Sequence, residues 1–190
     1  MNNDIKNSNI GTTPFSNAVN PLYSVTNNLD IFNFHDTELK LLRFIKNSNE
    51  LTVSVKHLII HKNTDQNTSN CDMVITDAVA TFTNIHNLSI IAGGLYIEDE
   101  KGELVPIEKP ITMTDTDALD YLITALSESD YFSVYELSKT IDGRYCMPVS
   151  CMPKSFNLYF SFDNINISWN EYENIAWYEQ KRLKDTEELK

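Results

Sequence analysis

Phe156, Leu158, Phe160 and Phe162 stand two residues apart, with Asn157, Tyr159 and Ser161 between them. Successive side chains of a β-strand point to opposite faces, so this spacing predicts a strand with one strongly apolar face. The same pattern recurs through much of the chain and commits it to a β-rich fold. Residues 38–46 and 50–61 read as two strands joined by the polar loop Asn47-Ser48-Asn49, a hairpin signal. In the second strand Leu51, Val53, Val55, His57 and Ile59 share one face, which is expected to face the core. Residues 62–70 form a polar loop, and 72–83 and 86–92 are further strands. Gly93-Gly94 breaks the run, since glycine tolerates the backbone angles of a turn. Residues 95–98 and 104–107 flank Asp99-Glu100-Lys101-Gly102 as another hairpin. Residues 131–139 and 144–150 lie around the turn dipeptide Asp142-Gly143, and 165–169 continue as strand.

Helical spacing interrupts the alternation near the middle of the chain. Leu119, Leu122, Ile123 and Leu126 fall on one helical face, and residues 114–117 supply N-cap choices and first-turn acids. The spacing predicts a helix over 115–128. The charged tail, 171–186, favours a second helix through its Glu, Gln, Lys, Arg and Leu content, with Ile175 to Tyr178 as an alternative last strand. The expected fold class is therefore α+β and β-rich, an antiparallel sandwich or curved sheet with a central and a C-terminal helix.

At 190 residues one domain is expected, over 31–190, preceded by an arm. Residues 1–30 are rich in Asn, Ser and Thr, with breakers at Pro14 and Pro21, and read as flexible or loosely docked through Phe15, Leu22 and Tyr23. An internal echo divides the body. Phe82-Thr83-Asn84-Ile85 recurs as Phe162-Asp163-Asn164-Ile165, each leading to an aliphatic residue and a serine. Two related β units, 31–95 and 131–190, would produce this; so would two unrelated hairpins in an Asn-rich chain.

Charge narrows the function classes. There are 15 Lys+Arg against 27 Asp+Glu, a formal net charge of −12, which disfavours nucleic acid and anionic membranes as partners. Twelve acids between Leu95 and Asp142 face only Lys101, Lys109 and Lys139, a local charge of −9. Glu98, Asp99, Glu100, Glu103, Asp115, Asp117 and Asp120 are the candidate partner-binding residues within it. This surface either keeps the protein soluble or steers a basic partner. The N-terminus lacks a basic region followed by an apolar run, and no apolar stretch approaches the length of a membrane span, so a cytoplasmic location is expected. Cys71, Cys146 and Cys151 are too few and too scattered for a disulfide framework or a zinc site.

Catalytic signatures are sparse. No glycine-rich phosphate loop or nucleophile elbow is present, and no cofactor or metal is expected. His57 and His61 lie four apart in a strand, about 13 Å, too far to share a metal. His35-Asp36 with Glu38 is the one constellation able to found a metal-dependent hydrolase. The alternative for these residues is a turn in which Asp36 or Thr37 caps backbone N–H groups at the start of the first strand. An aromatic concentration at Trp169, Tyr172, Trp177 and Tyr178 is expected to seal the last element onto the sheet, or else to form an interface.

The run Phe34-His35-Asp36-Thr37-Glu38-Leu39, then two strands and a polar loop, leads to Ala80-Thr81-Phe82-Thr83-Asn84-Ile85-His86-Asn87-Leu88-Ser89-Ile90. Over residues 31–95 this resembles small bacterial β-rich proteins that open on Phe-His-Asp-x-Glu. Several such families look like immunity proteins of contact-dependent or polymorphic toxin systems. The resemblance implies a non-enzymatic cytoplasmic protein that binds and blocks a toxin domain, and it carries over no catalytic residues.

Overall fold

A computed structural model describes residues 20–93, 95–151 and 154–187. In chain order the strands are β1 (Tyr23–Thr26), β2 (Phe32–Asn33), β3 (Thr37–Ile45), β4 (Glu50–Ile60), β5 (Met73–Thr83), β6 (His86–Ala92), β7 (Leu95–Glu98), β8 (Leu104–Glu108) and β9 (Ile111–Thr114). Helix α1 (Asp115–Glu128) follows. Then come β10 (Phe132–Val134), β11 (Ser138–Lys139), β12 (Tyr145–Cys151), β13 (Lys154–Ser161), β14 (Asn164–Trp169), β15 (Tyr172–Ile175) and α2 (Trp177–Glu187). Two departures from the expected elements stand out. Ile111–Thr114 forms an unforeseen edge strand, and the continuous strand expected over 131–139 is broken into β10 and β11. The tail helix forms from Trp177, while the strand before it is Tyr172–Ile175 and not the alternative over Ile175 to Tyr178.

One antiparallel sheet dominates, in the order β1-β14-β5-β4-β3-β10-β12-β13-β6-β9, with β2, β11 and β15 pairing at its sides. β7 and β8 pair only with each other. The sheet curls. Phe82 on β5 meets Phe160 on β13 at 5.7 Å between ring centres, and Phe162 just beyond it at 5.3 Å. Four strands separate β5 from β13 in the sheet order, so only curvature brings them face to face. The fold is thus α+β and β-rich, with the curved sheet realised. Helix α1 packs on β3, β6 and β9 and covers the concave core.

The helix presents a different face from the one its leucines predict. Ala118, Leu122, Ala125 and Leu126 are buried, whereas Leu119 and Ile123 are only partly covered. The alanines let the helix approach the sheet closely. Thr114 makes no capping hydrogen bond, and only the first-turn acids Asp115 and Asp117 match the expected helix start.

The core face of β4 also departs from simple alternation. Leu51, Val53 and Val55 point inward as expected, but His57 is exposed, and Leu58 and Ile60 take up the core face instead. The cause is the left-handed backbone of His57, φ +57, which leaves Lys56 and His57 outward in succession. β5 shifts in step. Register stays Lys56↔Asp77 and Leu58↔Ile75, and the buried residues there are Ile75 and Ala78. Ile59 is buried on the opposite, outer face, with Val74 and Ile175.

Residues 20–30 are part of the sheet: β1 pairs with β14, and Tyr23 stacks on Trp169 at 5.4 Å. Leu22 stays exposed, and Phe15 lies outside the described residues. Turns are taken by asparagine where glycine is scarce. Asn27, Asn49, Asn63, Asn84 and Asn87 all adopt positive φ, a conformation Asn tolerates because its short side chain bonds locally.

The two echo segments are neighbours. Asn84 donates to the Asp163 carboxylate at 2.7 Å, and the Asp163 N–H donates to the Thr83 carbonyl at 3.0 Å. β5 does not pair with β6 across its own turn, nor β13 with β14. Instead β5 pairs with β14, and β13 with β6.

Helix α2 is fastened by two buried carboxylates. Asp72 accepts from the Tyr178 hydroxyl at 2.6 Å and the Lys62 N–H at 2.8 Å, and pairs with His61 at 3.2 Å. Glu179 accepts from the Lys62 ammonium at 2.7 Å and from Arg182 at 2.8 Å. Burial pulls the Asp72 carboxyl up, but the Tyr178, Lys62 and His61 bonds together hold it below its ordinary value. The Lys62 bond does the same for Glu179.

Leu58→Ala is expected to cost about 2–5 kcal/mol of unfolding free energy, the range for a fully buried leucine; a urea-unfolding loss below about 1 kcal/mol would place Leu58 outside the core. The depressed carboxyls give a pH dependence of definite sign. Their contribution is fully present above the ordinary carboxylate range, about pH 4, and is lost as pH falls through the lower folded values. The urea midpoint should therefore drop between about pH 5 and pH 3 by more in the native protein than in Asp72→Asn; equal drops would remove Asp72 from the account.

Candidate functional site

The seven acids singled out in the sequence fall into two groups. Glu98, Asp99, Glu100 and Glu103 gather at the tip of the β7–β8 hairpin. Asp99 shapes the tip: its Oδ1 accepts the N–H groups of Lys101 at 2.8 Å and Glu103 at 2.9 Å, and Gly102 supplies the positive φ that closes it. Glu98, Glu100 and Glu103 are left exposed. Asp115, Asp117 and Asp120 stand exposed along the start of α1. Between the groups lies the edge strand β9, with Ile111 at 63% exposure and Val105 of β8 at 42%. Asp142 is held below the ordinary carboxylate value by hydrogen bonds from Thr140 and Arg144.

Of the three residues His35, Asp36 and Glu38, the first two line one cleft and Glu38 another. His35 and Asp36 occupy the turn between β2 and β3, where their side chains pair at 2.9 Å. The turn is made by Asp36, φ +62, and closed by Thr37, whose hydroxyl and N–H both donate to the Phe34 carbonyl. The expected capping of N–H groups is done by Asn33, which accepts from the His35 N–H at 2.8 Å. Glu38, one step along β3, lies opposite Lys56 and lines a different cavity with Lys40 and Asp130. Among the described residues no three His, Cys, Asp or Glu side chains are grouped to hold a metal ion.

What His35 and Asp36 do join is a cleft of about 280 Å³ on the outer face of the sheet. It brings together the β2–β3 turn, His57 and Ile59 of β4, Val74 of β5, and Glu173 to Ile175 with Trp177 and Gln180. His57 pairs with Glu173 at 3.5 Å. Sequence spacing hid this site. His57 and His61 do part company as the strand geometry requires, His61 going to Asp72. But nothing local marks His57 as left-handed, or brings it to Glu173.

The aromatic concentration divides in the same way. Trp169 is buried against Tyr23 and Phe32, and Tyr172 and Tyr178 tie the tail to the body. Trp177 is 68% exposed and lines the cleft.

Two thiols lie among the described side chains. Cys71 is buried, and burial pushes the Cys146 thiol up despite a hydrogen bond from Tyr159. The Cys151 side chain lies outside the described residues. Among the described residues no helix is long and apolar enough to cross a membrane. Compared with protein-family models, curated proteins and solved structures, the chain matches none.

Proposed function

We propose that the chain is a non-catalytic protein-binding module, an immunity-like inhibitor that meets a basic toxin domain or other basic partner through the β7–β8 hairpin and the start of α1. One observation carries this reading: the most acidic segment of the chain forms a two-stranded sheet of its own, with Glu98, Glu100 and Glu103 exposed at its tip. Among the described strands this hairpin pairs with none of the main sheet. Clustered acids on it steer a basic partner and raise the association rate. Exposed Val105 and Ile111 beside them supply apolar contact area, and the outer edge of β9 offers unpaired backbone groups for strand addition. The resemblance of residues 31–95 to immunity proteins supports the same reading. In it the protein works in the cytoplasm, binds no cofactor and performs no reaction. A hydrolase built on His35, Asp36 and Glu38 has less support, because Glu38 lines a different cavity from the other two.

Co-expression with the product of the adjacent gene tests the proposal. A stable complex is expected, with an association rate that falls as salt rises. Joint reversal of Glu98→Lys, Glu100→Lys and Glu103→Lys should slow association about tenfold or more, with unfolding stability changed by less than about 0.5 kcal/mol. Absence of a complex, or a rate indifferent to the three reversals, sinks it.

A further inference from the structure

The outer cleft combines four properties that together specify a ligand. The first is size. At about 280 Å³ it is smaller than the roughly 300–1,000 Å³ of pockets that enclose drug-sized molecules, and suits a single side chain. The second is the character of its walls. Ile59, Val74 and Ile175 provide an apolar flank, and Trp177 an indole that the protein leaves mostly in water. A tryptophan so exposed forgoes the burial its size would give it.

The third property is charge. Asp36 and Glu173 each give one oxygen to a histidine, Asp36 to His35 and Glu173 to His57. Their second oxygens have no partner among the described residues, and no lysine or arginine lines the cleft. The fourth is backbone conformation. Asp36 and His57 both hold left-handed conformations, φ +62 and +57. L residues adopt these at a cost, and such outliers gather where a side chain must be aimed. Both belong to this one cleft.

We propose that the cleft seats one arginine side chain of a protein partner. The guanidinium lies on the Trp177 indole, its N–H donors reach the Asp36 and Glu173 carboxylates, and its methylene stem runs over Ile59, Val74 and Ile175. Arginine fits better than lysine because its planar, weakly hydrated cation both stacks on an aromatic ring and forks onto carboxylates. The choice of a partner's arginine as the source rests on the binding-module reading above; the cleft's chemistry does not, and is tested on the protein alone.

The full chain is titrated with N-acetyl-arginine methylamide, and the Trp177 indole N–H and His57 ring resonances are followed by NMR. Saturable shifts centred on Trp177 and His57 are expected. The citrulline counterpart, equal in shape but uncharged, should bind at least about tenfold more weakly, having lost the charge-assisted bonds. Joint Asp36→Asn and Glu173→Gln substitution should weaken arginine by a similar factor without moving the thermal midpoint. Followed at the His57 ring, Trp177→Ala should abolish the interaction; if that variant fails to fold, Trp177→Phe keeps an aromatic ring and should retain part of it. Shifts that do not saturate, citrulline equal to arginine, or affinity indifferent to the two carboxylates would overturn the proposal. Reversing the hairpin charges should leave this titration intact, so its failure is separable from failure of the hairpin interface.

Discussion

The whole sheet hangs on a seam three residues long. β3 meets β10 at Leu39↔Phe132, Glu38↔Ser133 and Thr37↔Val134, and among the described residues these strand pairs join the β1-to-β3 half of the sheet to the β10-to-β9 half. Thr37 stands at its end, fully buried yet satisfied through its hydroxyl bond to Phe34. A buried hydroxyl left unpaired would cost about 1–3 kcal/mol, so the Phe34-to-Thr37 turn is required by the seam. The Asp36 N–H adds a bond to the Val134 carbonyl at 3.0 Å and pins the turn to the other half. The Phe34-His35-Asp36 run thus has a part in the architecture. Phe34 faces the core, Asp36 bends the chain, and Thr37 closes the bend.

A seam this short holds because the halves are tied again on the far side of the core. The strand order β14-β5-β4-β3-β10-β12-β13-β6 reads alike from both ends when β3 to β6 are matched with β10, β12, β13 and β14. Each set of four contributes its last strand to the other set. Asn166↔Thr81 and Ser161↔His86 are corresponding pairs under the 80-residue echo, and Ser168↔Val79 corresponds to Tyr159↔Ser89 once its one-residue gap is counted. The shared turns at Asn84 and Asp163 are where both chains cross over. Exchanged last strands and the aromatic contacts of Phe82 with Phe160 and Phe162 make the curl cooperative, since neither half can open without unpairing the other.

Much of this was legible as local pattern. Strand positions, the hairpin at Asp99 to Gly102 and the span of α1 follow from spacing and turn chemistry. What failed to show were features set by tertiary partners. Alternation places His57 and Ile59 inside, but one left-handed residue reverses the parity for the rest of β4, and His, unlike Gly, gives no warning of it. The leucines of α1 point to a face centred on Leu119 and Ile123; close packing instead favours the side carrying Ala118 and Ala125. β9 is too short to announce itself and exists because β6 offers it an edge. Trp177 reads as a core residue by composition, and only the docking of Tyr178 on Asp72 shows why its neighbour is left outside.

That docking also decides which surfaces remain for a partner. The concave face is closed by α1, and the outer face beside β4 and β5 is partly covered by α2. Tyr178, Ala176 and Glu179 face the body, so Trp177, next to them on a helix held at both Asp72 and Lys62, has nowhere to bury. The same outward step at Lys56 and His57 that reverses β4 presents an imidazole beside Glu173, in the cleft that the indole also lines. The cleft is therefore a consequence of the reversed parity of β4, with the backbone turns at Asp36 and His57 setting where its polar groups stand. Preorganised groups lose little freedom on binding, which favours a small, rigid contact. The acidic hairpin is the opposite case: its charges are solvated and spread, suited to attracting a partner at long range. A partner that is drawn by one and gripped by the other would need both a basic field and an arginine set to project from it.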